Sequence, residues 1–263
     1  KRPQKRREVA AVISIYTLIF IILSAIMIKW ADQYQFPISP ERRMARVERL
    51  AQDIENTTMR REIAYKIDDL TRYGQAAVEP LLRLLENEDP NKKEMAAEAL
   101  GKLGDTAALK PLYSLLDHPW DNVRSCALGS IVQLGDRNII PVLFSSLESG
   151  HPDLSHCQIY ESFATFHVTE SWELLASASE NEESEWTRIC AVKAMAEIQP
   201  GKMAPYLIPL LGLESKRLRA EAVRIASTVQ DERLLPYLKK LQEDEYYEVR
   251  LLANRAIEAI ENQ

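Results

Sequence analysis

Residues 96–136 read AAEALGKLGDTAALKPLYSLLDHPWDNVRSCALGSIVQLGD. The stretch holds one complete unit of a pattern. From Pro111 an apolar run, PLYSLL, gives way to a short polar turn around His118 to Asp121. A second segment rich in small residues then ends in Leu134-Gly135-Asp136, as the segment before it ends in Leu103-Gly104-Asp105. Proline suits the first turn of a helix because its missing N–H is not needed there. Glycine just past a helix supplies the left-handed residue with which many helices stop. The spacing therefore predicts two helices joined by a tight turn, closed at Gly135.

Working outward, the same unit recurs. Prolines that open apolar runs stand at Pro80, Pro111, Pro141, Pro205 and Pro236, a spacing close to 31 with one member missing near Ser171. The runs are PLLRLL, PLYSLL, PVLFSSL, PYLIPLL and PYLKKL, and each is followed by a segment such as CALGSIVQLGD or AEAVRIASTVQD. A single pair of helices cannot close a core, so neighbours must stack and share one. The fold class is all-α: an α-solenoid of about seven helix pairs, near 41–73, 76–103, 107–134, 138–166, 170–198, 203–229 and 233–261. Residues 41–74, rich in both charge signs, form a degenerate capping pair, and 75–263 the solenoid proper.

Residues 115–136, LLDHPWDNVRSCALGSIVQLGD, resemble a HEAT repeat of the kind found in bilin-lyase-like HEAT families, and the resemblance extends over roughly 75–263. It implies that Val123-Arg124, Leu218-Arg219 and Val249-Arg250 open the second helices, with the arginines joined in a hydrogen-bonded ladder. Thr187-Arg188 fits the same place after a longer turn, whereas Lys92-Lys93 and Ser155-His156 replace the pair elsewhere. The 138–166 repeat departs most, since it ends in Thr165-Phe166-His167 instead of Leu-Gly-Asp. A local bend or a partner site near 150–170 is expected there.

Ahead of the repeats, Val9 to Ile28 is a twenty-residue apolar run without charge, Pro or Gly. At about 1.5 Å per residue it reaches roughly 30 Å, the thickness of a bilayer's hydrocarbon core. Lys1, Arg2, Lys5, Arg6 and Arg7 precede it and little positive charge follows, which predicts a cytoplasmic N-terminus and an extracytoplasmic solenoid. The expected organisation is a basic flank at 1–8, a transmembrane helix at 9–29 lying in the lipid bilayer, and a linker at 30–40. Trp30, Tyr34 and Phe36 are the expected anchors at the outer headgroups. The rival is a cleaved signal peptide, against which stand the length of the run and the bulky Ile26, Met27, Ile28 and Trp30 where small residues would be needed.

With 46% apolar and 27% charged residues the chain is globular, and its formal charge of -6 excludes a sequence-independent grip on nucleic acid. Residues 41–263 hold 27 basic and 37 acidic residues. Much of the acidity sits in the turns between helices: Glu180, Glu182, Glu183 and Glu185 beside Trp186, and Glu243 to Glu248 around Tyr246 and Tyr247, while Trp120 marks an earlier turn. These residues are the candidate partner-binding set, on an edge that either stays solvated or docks basic partner segments.

No catalytic motif is present. There is no GxxxxGK loop, GxSxG elbow or HExxH helix, and Cys spacing does not suit zinc. Cys126, Cys157 and Cys190 fall at one equivalent position in successive repeats, which reads as a column of buried, unbridged thiols because packed helix axes lie about 8–10 Å apart. Deoxyhypusine hydroxylases, another HEAT class, hold iron with His-Glu dipeptides, whereas the four histidines here are followed by Pro119, Pro152, Cys157 and Val168. The expectation is a protein with no catalytic, cofactor or metal site: a membrane-anchored scaffold that serves as an accessory subunit of a larger membrane complex. The alternative implied by the resemblance is a bilin-lyase-like protein acting on a chromophore-carrying partner.

Overall fold

The computed structural model describes residues 39–148 and 154–262. The chain divides into two units, 1–52 and 53–263. Helix α1 (Pro40–Glu55), whose last three residues belong to the second unit, begins with the Arg42 N–H donating to the Ser39 hydroxyl at 3.4 Å. The membrane span expected from Val9 to Ile28, with its anchors Trp30, Tyr34 and Phe36, lies outside the described residues. No helix among those described is long and apolar enough to cross a membrane.

The second unit is a helical solenoid. After α2 (Arg60–Thr71) come α3 (Val78–Leu85) and α4 (Pro90–Leu103), α5 (Leu109–Ser114) and α6 (Asp121–Gln133), α7 (Ile139–Glu148) and α8 (His156–Thr165). These are followed by α9 (Trp172–Asn181) and α10 (Glu185–Ile198), α11 (Ala204–Leu210) and α12 (Lys216–Val229), α13 (Leu235–Leu241) and α14 (Tyr247–Glu261). With α1 this makes fourteen α-helices and no strand among the described residues.

The Leu-Gly-Asp signature does two jobs at each repeat boundary. Gly104 and Gly135 take φ of 75°, ending α4 and α6. Asp105 and Asp136 then accept the N–H of Ala107 at 2.8 Å and Asn138 at 3.1 Å, starting the turn that leads into the next pair. Where the glycine is missing, another residue bears the left-handed conformation: His167 at φ 49° after α8 and Gln230 at φ 53° after α12. Asp231 caps the following turn through the Arg233 N–H at 2.9 Å.

The even-numbered helices stack in succession, α2 on α4, α4 on α6, and so on to α14. Leu100, Ala127, Leu128, Ile131, Phe163, Val192, Val223 and Ala253 are fully buried in this column. Burying a side chain the size of leucine or phenylalanine contributes about 1.5–3 kcal/mol, and each repeat adds several. Helices α4 and α6 approach most tightly at Gly101, where a Cβ would stand 2.7 Å from Ser130 Oγ and 2.9 Å from its Cα. Ser130 Oγ donates to the Ala97 carbonyl at 2.8 Å across the same contact.

The column also corrects the reading of the cysteines. Cys157 of α8 and Cys190 of α10 form a disulfide with Cα atoms 5.2 Å apart, and Cys126 is the free thiol. The expectation of unbridged thiols took the distance between helix axes as the distance between residues. Two Cα atoms that face each other across small neighbours stand well inside the axial separation, so the bridge closes. Cys126 is half-buried, and desolvation, aided by Glu94 and Glu98, pushes its thiol up to about 11.

Candidate functional site

The turns that open the second helices are organised by the arginines. Arg124 donates from Nη1 to the His118 carbonyl at 2.6 Å, and its other amino group meets the Asp121 carboxylate. Arg219 Nη1 reaches the carbonyls of Leu213 at 2.8 Å and Glu214 at 2.7 Å, and Arg250 Nη1 that of Asp244 at 2.6 Å. Each guanidinium satisfies carbonyls of the turn between the two helices, three or four residues past the end of the preceding helix. The ladder is continuous from repeat to repeat where Arg219 also grips Asp244 of the next turn, Nε to Oδ2 at 2.8 Å. Lys92, which stands in α4 where Val123 stands in α6, is buried and reaches back to the preceding repeat, donating from Nζ to the Glu55 carbonyl at 2.7 Å.

Because the second helices stack side by side, these turns follow one another along one edge of the second unit. Three aromatics project from it: Trp120 is 60% exposed, Trp186 46% and Tyr247 69%, which is unusual for groups that gain so much by burial. Tyr246 instead turns inward, with Lys216 Nζ 4.3 Å from its ring centre. Arg217 lies 5.6 Å from the Trp186 ring in the neighbouring repeat. Of the four acidic residues at 180–185, Glu180 and Glu183 are exposed, while half-buried Glu185 lies 3.8 Å from Arg188.

Glu182 differs from the other three. Its Oε1 accepts the Tyr160 hydroxyl at 2.7 Å and lies 2.7 Å from His156 Nδ1. Tyr160 is 2% exposed, and burial, with Glu182 adding to it, pushes its phenol far above the usual tyrosine value. The three residues form one wall of a cleft of about 420 Å³ between α7, α8 and α9. Leu147, Leu174 and Ala178 supply its apolar lining, and Glu148 and Glu183 stand at it with Ser177 and Asn181. The cleft belongs to the repeat that departs most from the sequence pattern. His156, the first residue of α8, pairs with a carboxylate of the next turn. Sequence reasoning placed Glu182 on the open edge and missed Tyr160, because residues 22 apart in a helical repeat share no periodic signal. Among the described residues, no group of His, Cys, Asp or Glu is arranged to hold a metal ion.

Comparison with known proteins places this geometry. A family model described as HEAT repeats matches residues 45–131 and 173–258. None of the curated proteins matches the chain. Solved structures with a similar fold include human deoxyhypusine hydroxylase in complex with glycerol, 15% identical, with 86% of this chain and 100% of that one covered at a TM-score of 0.43. The complex of CpcE and CpcF of phycocyanin lyase from Nostoc sp. PCC7120 is 22% identical, covering 75% and 88% at a TM-score of 0.48. A designed armadillo repeat protein in complex with the peptide (KR)4 is 21% identical, covering 84% and 95% at 0.39. These likenesses concern the helical repeat architecture alone.

Proposed function

We propose that this chain, which belongs to the HEAT-repeat family, works as a non-catalytic scaffold, an accessory subunit that binds protein partners of a membrane complex through its turn edge. The observation that carries this reading is the row of exposed Trp120, Trp186 and Tyr247 interleaved with acidic turn residues. Large aromatics on a polar rim are the residues that anchor protein interfaces. An edge with this charge selects partner segments rich in lysine and arginine. The residues proposed to bind are Trp120, Glu180, Glu182, Glu183, Glu185, Trp186 and Tyr247, with Tyr246 holding its turn in shape.

The apolar run at 9–28 serves in this reading as a single-span anchor, with the solenoid outside the cytoplasm. The Cys157–Cys190 disulfide supports that side of the membrane, since disulfides persist in oxidising compartments and are rare in reducing ones. Protease added to sealed, right-side-out vesicles should digest the solenoid. Protection in intact vesicles, lost on permeabilisation, would refute the topology.

The interaction is tested by crosslinking mass spectrometry on the chain purified in mild detergent. Partner subunits should crosslink through lysines near the turn edge, and reversing Glu180, Glu183 and Glu185 to Lys should abolish their recovery. Undiminished recovery from the reversed variant would overturn the assignment of the edge.

A further inference from the structure

The cleft between α7, α8 and α9 combines an apolar floor with carboxylates, and among the described residues no lysine or arginine lines it. We propose that it receives an arginine side chain from the basic segment of a partner protein. This deepens the reading of the turn edge as a docking surface and rests on it.

Leu147, Leu174 and Ala178 suit the three-methylene stem of an arginine, which buries along apolar surface while its head stays among polar groups. Glu148, Glu182 and Glu183 provide the complementary charge. Glu182 is the fixed member. With Oε1 already engaged by the Tyr160 hydroxyl and by His156 Nδ1, its carboxylate is held in one orientation and Oε2 remains as an acceptor. A guanidinium presents five N–H donors in one plane and can serve a carboxylate and a neighbouring acceptor together. An ammonium offers three donors from a single point and fits such a set less well.

The acceptors are also ordered in advance. Glu182 sits in the turn between α9 and α10, and the Cys157–Cys190 bond ties α8, which bears His156 and Tyr160, to α10. A site whose groups need not be immobilised on binding retains more of its interaction energy as affinity.

The test uses the full chain in detergent micelles and fluorescein-labelled peptides of alternating Gly and Arg, or Gly and Lys, read by anisotropy. The Arg peptide should bind, and the Lys peptide should bind more weakly by about threefold or more. Ser177→Trp fills the cleft without changing charge and should weaken Arg-peptide binding about tenfold, as should Glu148→Gln with Glu183→Gln. Glu98→Gln with Glu197→Gln removes equal charge from helix surfaces away from the turns and should change binding less than about twofold. Binding by Ser177→Trp equal to that of the unaltered chain would overturn the cleft while leaving the edge reading intact. Equal affinity for the two peptides would overturn the choice of arginine. No binding of either peptide would overturn the edge reading itself. Should the tryptophan variant fail to fold, Glu148→Gln alone, a cleft carboxylate outside the edge set, carries the test: Arg-peptide binding should weaken by about threefold or more, and unchanged binding would overturn the cleft.

Discussion

Arg219 and Asp244 join two consecutive repeats by a fork: Nε to Oδ2 at 2.8 Å and Nη2 to Oδ1 at 3.0 Å, with only 10% and 5% of the two side chains exposed. The hydrogen bonds from Arg219 hold the Asp244 carboxyl below the usual carboxylate value, against the opposing effect of burial. A depressed value in the fold means that the charged form contributes stability above the unfolded pKa, near 4, and that this contribution is lost as pH falls through the folded pKa. Asp244→Ala should cost about 1.5–3 kcal/mol at pH 7, because it removes two charge-assisted hydrogen bonds from Arg219, which keeps only its carbonyl partners and the more distant Glu245. In urea titrations the difference between variant and unaltered chain should shrink below about pH 4. A pH-independent difference would show that the fork is not its source.

Gly101→Ala should destabilise the solenoid by about 1–3 kcal/mol, since the added methyl meets Ser130 backbone as well as side chain and the helices must part. Gly129→Ala is the informative contrast. Its nearest neighbour is Gln158 Nε2 at 3.8 Å, and the gain in helix propensity should stabilise by roughly 0.5–1 kcal/mol. Thermal unfolding of the two variants reads both signs.

Breaking the Cys157–Cys190 link with Cys190→Ser should lower stability by roughly 3–4 kcal/mol on the loop-entropy estimate for a separation of 33 residues. Before reduction, iodoacetamide should label one cysteine per chain, Cys126. Labelling should be slow at neutral pH and accelerate as pH approaches 11, where the raised thiol begins to ionise. Three fast-reacting thiols in the unreduced protein would contradict the bridge.

His167→Gly should stabilise by about 0.5–1 kcal/mol, because an exposed residue at φ 49° bears a left-handed conformation that glycine adopts without cost. A loss of stability would mean that the imidazole makes a contact worth more than the strain it carries.

The sequence made the repeat plain because the repeat is a local affair. Pro111 in the first turn of α5, Gly135 at the end of α6 and Asp136 after it each act within a few residues, so their spacing is written in order along the chain. The arginine ladder came through resemblance for the same reason, as Arg124 and Arg219 sit at fixed offsets from their own turns. What escaped depends on the space between repeats. The distance between Cys157 and Cys190 is set by the small residues packed beside them, and the meeting of Tyr160 with Glu182 by the angle at which one turn leans on the previous helix. Neither quantity has a period. The aromatics divided in the same way: Trp120 and Tyr247 face outward as their turn positions suggest, whereas Tyr246, next in sequence, is claimed by Lys216 of the preceding repeat.

The bridge between α8 and α10 also governs how the array would respond to load. A stack held only by neighbour contacts lengthens under tension one repeat at a time. Here the 33-residue separation between Cys157 and Cys190 cannot pay out, which withholds about 110 Å of contour from any stretch applied to the chain. Force passing along the solenoid crosses its centre through a covalent tie, so the repeats on either side can unravel and recover while the segment enclosing the cleft keeps its length.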